Sequence, residues 1–384
     1  MTLKRILAAL LAAMVTVGSF SACSDKTNKD TDYSENNNDY RAENENNDVN
    51  YPDKWDVLPK ADVTDISQLT YEFDDDLNGI KITGYIGESA MLHIPDTIED
   101  KPVVAASLGN FKPTHLYMPT TLVQLEADLS ELTYANYPNS KLSFFDPAID
   151  SANLKCVYIE PSVTEIGENA FRYCTGLIKV EIPDSVTTIK TGAFSHCESL
   201  PTMKIPDSVT TIEEAAFIDC TRLTTISIPD SVTELGRLAF QSCTDLTTVN
   251  IGNGVSTISE GAFAYCDSLT DVSIGNNVTI IGNLAFARCT SLTNINIANS
   301  VTTIQGMAFS GCTSVTSITI PDSVTEIYHF AFENCTSLTS VNIPDNITWV
   351  GDSTFDICEN IQATYKGTTY TYDNIEDLYK AINN

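Results

Sequence analysis

Between residues 154 and 362, apolar and polar positions recur with a fixed period. Phenylalanine stands at Phe171, Phe194, Phe217, Phe240, Phe263, Phe286, Phe309, Phe332 and Phe355, each 23 residues after the last. Cysteine follows three positions later each time, at Cys174, Cys197, Cys220, Cys243, Cys266, Cys289, Cys312, Cys335 and Cys358. Within a unit, the stretch Leu246-Thr247-Thr248-Val249-Asn250-Ile251 alternates apolar with small polar residues over its last four positions, the signature of a half-buried strand. Pro229, Gly252, Gly275 and Pro321 end such strands. Because each unit places the same strand at the same offset, successive strands must stack in parallel, about 4.8 Å apart, into a solenoid lined by columns of like residues. Those columns are Leu/Val, Val/Ile, Ile, Val, Ile, Ala, Phe and Cys, and nine coils predict an array roughly 40 Å long. One coil cannot bury its own apolar face, so stability must come from neighbours.

The flanks carry weaker versions of the pattern. Leu92-His93-Ile94-Pro95-Asp96-Thr97-Ile98 and Leu116-Tyr117-Met118-Pro119-Thr120-Thr121-Leu122 echo the strand and turn without the Ala-Phe-x-x-Cys half. Residues 64–153 are therefore expected to form a cap, with a hairpin around Tyr71 to Ile86 and degenerate coils that cover the first strand edge. Residues 363–384 are expected to close the other end through a hairpin turning at Lys366-Gly367. A helix follows, with Ile375, Leu378, Tyr379 and Ile382 on one face and Asn374 or Asp373 as N-cap.

The pattern Leu-x-x-Ile-x-Ile-Pro-x-x-Val-x-x-Ile-Gly-x-x-Ala-Phe-x-x-Cys resembles the BspA-type leucine-rich repeat family, also described from treponemes. The resemblance spans Leu154 to about Cys358 and rests on eight columns in register. It implies a right-handed leucine-rich repeat solenoid with a parallel β-sheet on one face, a bacterial cell-surface location, and adhesion to host matrix proteins or other cells. It brings no catalytic residues. The departures are Thr354 in the Ala column and Thr364 in the strand-valine column of the last unit.

The N-terminus supplies an address. Lys4 and Arg5, the apolar run Ile6 to Val17 and the small residues Ser21 and Ala22 read as an export signal over residues 1–22. The apolar run is short for a membrane span. Phe20-Ser21-Ala22-Cys23 resembles a bacterial lipobox, which implies lipidation of Cys23 and a lipid-anchored surface protein; ordinary cleavage and secretion is the alternative. Residues 23–63 are rich in Asn and Asp and poor in apolar residues, a solvated tether that reaches on the order of 120 Å if extended at roughly 3.3 Å per residue.

Composition narrows the partners. The 384 residues include 51 acidic and 21 basic side chains, a formal charge of −30, which disfavours nucleic acid and anionic headgroups. Membrane association is then expected only through the lipid anchor, and the solenoid as a monomer. No His-Glu-x-x-His, Gly-x-Ser-x-Gly or phosphate-cradling loop occurs, so no catalytic residue, metal ligand or cofactor is assigned. The cysteine column lacks zinc spacing and reads as buried free thiols, with disulfides between neighbouring coils as the alternative. Cys156 falls in the register of Lys179, Thr202 and Thr225, an outward column, and is expected to be exposed or covered only by the N-terminal segment. Asp184, Asp207, Asp230, Asp322 and Asp345 repeat in the turn after the strand, where Asp is expected to bond local backbone.

The outward strand positions are the candidate binding face: Thr225, Ser227, Thr248, Asn250, Asp271, Ser273, Asn294, Asn296, Ser317, Thr319, Ser340 and Asn342, preceded by Lys179/Glu181 and Thr202/Lys204. They offer hydrogen bonds and no aromatic ring, which suits an extended contact with a protein or glycan, or a plain soluble sheet face. Arg172, Tyr173, Tyr265, Arg288, Tyr328 and Phe330 lie beside the Phe column as a second, flank candidate. The expected function is non-catalytic adhesion or ligand binding at a cell surface, with a spacer module that binds nothing specific as the alternative.

Overall fold

The computed structural model describes residues 63–140 and 152–383, a β-solenoid of about 12 turns. The export signal, lipidation at Cys23 and most of the tether lie outside the described residues. Residues Lys54–Asn384 form one compact unit.

Each regular coil contributes two strands. The longer one, such as Thr225–Ile228 or Thr248–Ile251, pairs in parallel with its equivalent 23 residues on, Thr225 against Thr248 and Ile226 against Val249. After the turn comes a strand of only two residues, as in Thr211–Ile212 and Glu234–Leu235, which stack into a second parallel sheet. The third side has no strand. There Asn169, Phe171 and Tyr173 donate their N–H groups to the carbonyls of Thr191, Ala193 and Ser195 in the next coil, at 3.0, 2.8 and 2.9 Å. Alternate amides point along the axis because the chain visits the left-handed region twice per coil, for example at Asn169 (φ 54°) and Tyr173 (φ 58°). The backbone groups of all three sides are thereby paired between coils.

The columns read from the sequence form one core. All nine Phe side chains of the repeat are at most 1% exposed. Their rings stack face to face, from 4.9 Å between Phe217 and Phe240 to 5.7 Å between Phe332 and Phe355. Each cysteine thiol from Cys197 to Cys358 donates to the carbonyl of the Phe in the preceding coil, as Cys243 does to Phe217 at 3.3 Å. A small apolar side chain with one weak donor fits that position. Threonine hydroxyls add a polar seam outside, with Thr247 donating to Thr224 and Thr270 to Thr247 one coil back.

At the N-terminal end, Leu69–Asp74 and Gly79–Tyr85 form an antiparallel hairpin whose second strand pairs in parallel with Lys101–Ser107. Met91–His93, His115–Tyr117, Tyr134–Tyr137 and Cys156–Ile159 continue the longer-strand sheet. At the other end, Gln362–Tyr365 and Thr368–Thr371 make the closing hairpin. The helix Ile375–Asn383 then seals the last coil. Asn383 bonds both Val350 N and Val350 O, at 3.0 and 2.8 Å, and the Tyr379 hydroxyl accepts from Phe355 N at 3.1 Å.

Four details differ from the sequence reading. Val341 pairs with Ala363, so the last strand is displaced by one residue and Thr364 lies opposite outward-facing Asn342, not in the valine column. The helical turn that leads into the last helix begins at Thr371, whose N–H donates to Asn374 Oδ1 at 2.7 Å, earlier than the expected cap. In the turns, serine carries inter-coil bonds, Ser208 donating to Val186 O and Ser231 to Val209 O at 2.7 Å, while Asp230 accepts from Asn253 N of the next coil at 2.6 Å. Finally, Cys156 holds the expected register opposite Lys179 yet is only 3% exposed. It is flanked by Tyr134 and Lys179, which are long enough to cover it.

Candidate functional site

The pleat of the longer strands sends alternate side chains to opposite faces, which fixes what the sheet can offer. In Thr225–Ile228, Ile226 and Ile228 are buried while Thr225 and Ser227 face out. Parallel register aligns the outward residues into two columns. One runs Thr225, Thr248, Asp271 and the other Ser227, Asn250, Ser273. Further along they run Asn294, Ser317, Ser340 and Asn296, Thr319, Asn342. All twelve are exposed except Thr248, which is half-buried. They form a flat field of hydroxyl and amide groups.

The field is interrupted twice. Thr202 joins Thr225 through a single bridge, and Lys179–Glu181 belongs to the preceding sheet. Pro201 is the cause: its carbonyl accepts from Thr224 N at 3.0 Å, but it has no N–H to offer Ile178 as Thr247 offers Thr224. A second break separates Asp271–Ser273 from Asn294–Asn296 and leaves the inward Val272 and Ile274 only partly buried. The residues around that break give no evident reason for it.

The flank candidates pair among themselves. Tyr173 stacks on His196 at 4.3 Å, and His196 Nε2 lies 3.6 Å from an Asp219 carboxylate oxygen. Burial holds the His196 imidazole below its ordinary pKa against the pull of Asp219. The Arg172 guanidinium lies 5.1 Å from the Tyr173 ring and that of Arg288 5.8 Å from Tyr265. Tyr328 meets Trp349 edge-on at 4.9 Å. These are contacts along the flank of the stack, and they do not converge on one pocket.

For chemistry, the outward columns supply hydroxyl and amide groups with a carboxylate at Asp271, and no nucleophile–base pair. Among the described residues, no three side chains of the metal-binding types converge, and no helix is long and apolar enough to cross a membrane. Among the described residues no two cysteines are joined by a disulfide, and all ten are buried. Burial pushes the Cys220 and Cys312 thiols up to about 12. A thiol so held is a packing group and not a nucleophile.

Aromatic residues that the sequence reading did not bring together do occur on this sheet. In the first coils the outward positions include His93, His115, Tyr117, Tyr134 and Tyr158, beside Met91, Asn136 and Cys156. The signal available was the strand-like triplets at Leu92 and Leu116, but the coils there are spaced 24, 19 and 22 residues apart, which defeats a fixed register.

The model of the BspA type leucine rich repeat region matches residues 143–270 and 256–374. Among solved structures, a leucine rich cell surface protein from Faecalibacterium prausnitzii is similar at 26% identity and a TM-score of 0.41, over 82% of this chain and 96% of its own. A leucine-rich repeat protein from Bacteroides ovatus is similar at 24% identity and a TM-score of 0.39, over 78% and 98%. A leucine rich repeat protein from T. pallidum is similar at 25% identity and a TM-score of 0.38, over 60% and 90%. No curated protein matches the chain.

Proposed function

Since the chain belongs to the BspA-type leucine-rich repeat family, we propose that it is a non-catalytic binding protein of a bacterial cell surface. Its solenoid takes a protein or glycan ligand along the outward columns of the longer-strand sheet. The observation that carries the reading is the two aligned stretches Thr225 to Ser273 and Asn294 to Asn342, whose outward hydroxyl and amide side chains, with the Asp271 carboxylate, stand in register from coil to coil. A flat polar field gives an extended contact assembled from many small contributions. It provides no enclosed pocket in which a reaction could be sheltered from water.

Export by residues 1–22 and lipidation of Cys23 would place the solenoid outside the membrane, with the Asn/Asp-rich stretch up to residue 63 as spacer. Labelled palmitate that enters the wild-type chain and is lost in Cys23→Ala supports the anchor; label retained in the variant excludes it.

Surface plasmon resonance of the exported chain against matrix proteins, mucins and glycans tests the binding reading. Saturable binding that weakens about tenfold or more in the Asn294→Lys/Asn296→Lys double variant supports the polar columns. No saturable ligand in any class would leave the solenoid as a spacer.

A further inference from the structure

The longer-strand sheet is not uniform along its length. From Thr225 onward its outward positions are small and polar, but in the first four coils five of the eight are His or Tyr. His115 lies flat on Tyr134, with ring centres 4.6 Å apart and planes 15° from parallel. His93 meets Tyr117 edge-on at 4.4 Å. Tyr158 stands on the adjoining strand, opposite Asn136. All five rings are half-buried, so each shows part of its surface outside the core.

A carboxylate is fixed beside these rings. Asn136 is fully buried, and its side chain is spent on three bonds: it accepts from Met118 N at 2.8 Å and donates to Met118 O at 2.8 Å and to Glu160 Oε1 at 3.0 Å. Glu160 is thereby held against the Tyr117 hydroxyl, whose pKa rises to about 12 through burial first and then through the Glu160 carboxylate. Asp96 adds negative charge to the same place. A buried amide that orients a surface carboxylate is an arrangement a plain soluble sheet does not need.

We infer that the His93–Tyr117 and His115–Tyr134 pairs, with Glu160 beside them, form a binding site for a glycan that carries no acidic groups. This deepens the binding reading above and rests on it. Sugar rings present C–H faces that pack on aromatic rings, and hydroxyl edges that a carboxylate takes as paired acceptors. The charge of the chain argues in the same direction. With a formal net charge of −30 and with Glu160 and Asp96 at the patch, sialylated, sulfated or uronic sugars are repelled while neutral ones are not. A protein ligand would require a desolvated pocket for an apolar anchor, whereas His and Tyr here form an open surface of rings with polar edges.

The test is a neutral and acidic oligosaccharide array, followed by calorimetry on the intact exported chain, with a matrix-protein panel run in parallel. The variants are His115→Ala, Tyr117→Phe and Glu160→Gln, checked for wild-type circular dichroism, with Glu376→Gln on the exposed side of the last helix as the comparison. Binding of a neutral oligosaccharide that falls about tenfold or more in His115→Ala and Glu160→Gln, and stays within about twofold in Glu376→Gln, supports the site. Tyr117→Phe keeps the ring and removes the hydroxyl, so a smaller loss there separates stacking from hydrogen bonding. A neutral oligosaccharide whose affinity does not respond to His115→Ala or Glu160→Gln overturns the site. A protein or acidic-glycan ligand alone overturns this inference and leaves the general binding reading standing. No ligand of any class overturns both.

Discussion

Raising the pH should strip stability from this fold through its thiol column. Cys197, Cys220, Cys243, Cys266, Cys289 and Cys312 have pKa values lifted by burial above the ordinary 9.0. Cys335 is lifted too, first through its contact with Cys358 and then by burial. A thiol with a raised folded-state pKa holds its proton in the native chain while the unfolded chain releases it. The stability it contributes is therefore complete below about pH 9 and is lost as the pH climbs toward the folded value. For Cys220, shifted from 9.0 to about 12, the loss at pH 10 is on the order of 1.4 kcal/mol. The other buried thiols of the column act in the same direction, and domains of this kind are held by only about 5–15 kcal/mol. The assay is urea unfolding followed by circular dichroism at pH 8, 9 and 10, in reductant, on wild type and Cys266→Ala. The wild-type midpoint should fall steeply above pH 9. Cys266→Ala should start about 1–2 kcal/mol weaker at pH 8 from the lost volume, but lose less stability than the wild type between pH 8 and 10, because the Cys266 thiol is pushed up by burial. A midpoint that is flat from pH 8 to 10, or a slope that the variant leaves unchanged, refutes the reasoning.

Two further perturbations probe the backbone. Pro201→Thr restores an N–H where the ladder to Ile178 is broken; it should add about 1 kcal/mol, with a newly protected amide at residue 201 in hydrogen exchange, and a fast-exchanging amide there argues against the repair. Ile357→Gly relieves a β-branched residue at φ 62° that is already 42% exposed. The left-handed penalty of about 1–2 kcal/mol outweighs glycine's extra unfolded-state entropy of about 0.5–1 kcal/mol, so the melting temperature should rise, and a fall would show that the Ile357 side chain matters more than its backbone.

Much of this architecture is legible in the residues because identical offsets repeat. Phe, Cys, Ala and the strand Ile each mark a column, and a column in sequence becomes a stack in space. The two-residue strands such as Glu234–Leu235 escape the reading, since alternation needs more than two positions to show. The left-handed positions escape it as well. They are held by Tyr173, His196, Asp219 and Arg288 as readily as by Gly192, Gly261 and Gly311, so no glycine signature marks them. Tertiary pairing of the amides imposes that conformation against local preference. Register puts Cys156 in its column but leaves open whether it is exposed or covered, because register predicts direction and not how far Tyr134 and Lys179 reach. The aromatic patch was hidden by unequal coil lengths, although every residue in it was in plain view.

The fixed offset of the lateral bonds has a consequence for how such a chain can vary. Thr248 offers Thr225 and Asp271 the same partnership, and so on along the stack. Removal or duplication of 23 consecutive residues inside the regular stretch joins two ends that already have the right neighbours. Coils are therefore interchangeable parts between two fixed ends, the Leu69–Tyr85 hairpin and the Ile375–Asn383 helix. Recombination between equivalent codons can lengthen or shorten the reach of the molecule in steps of about 4.8 Å, while the surface at either end stays as it was.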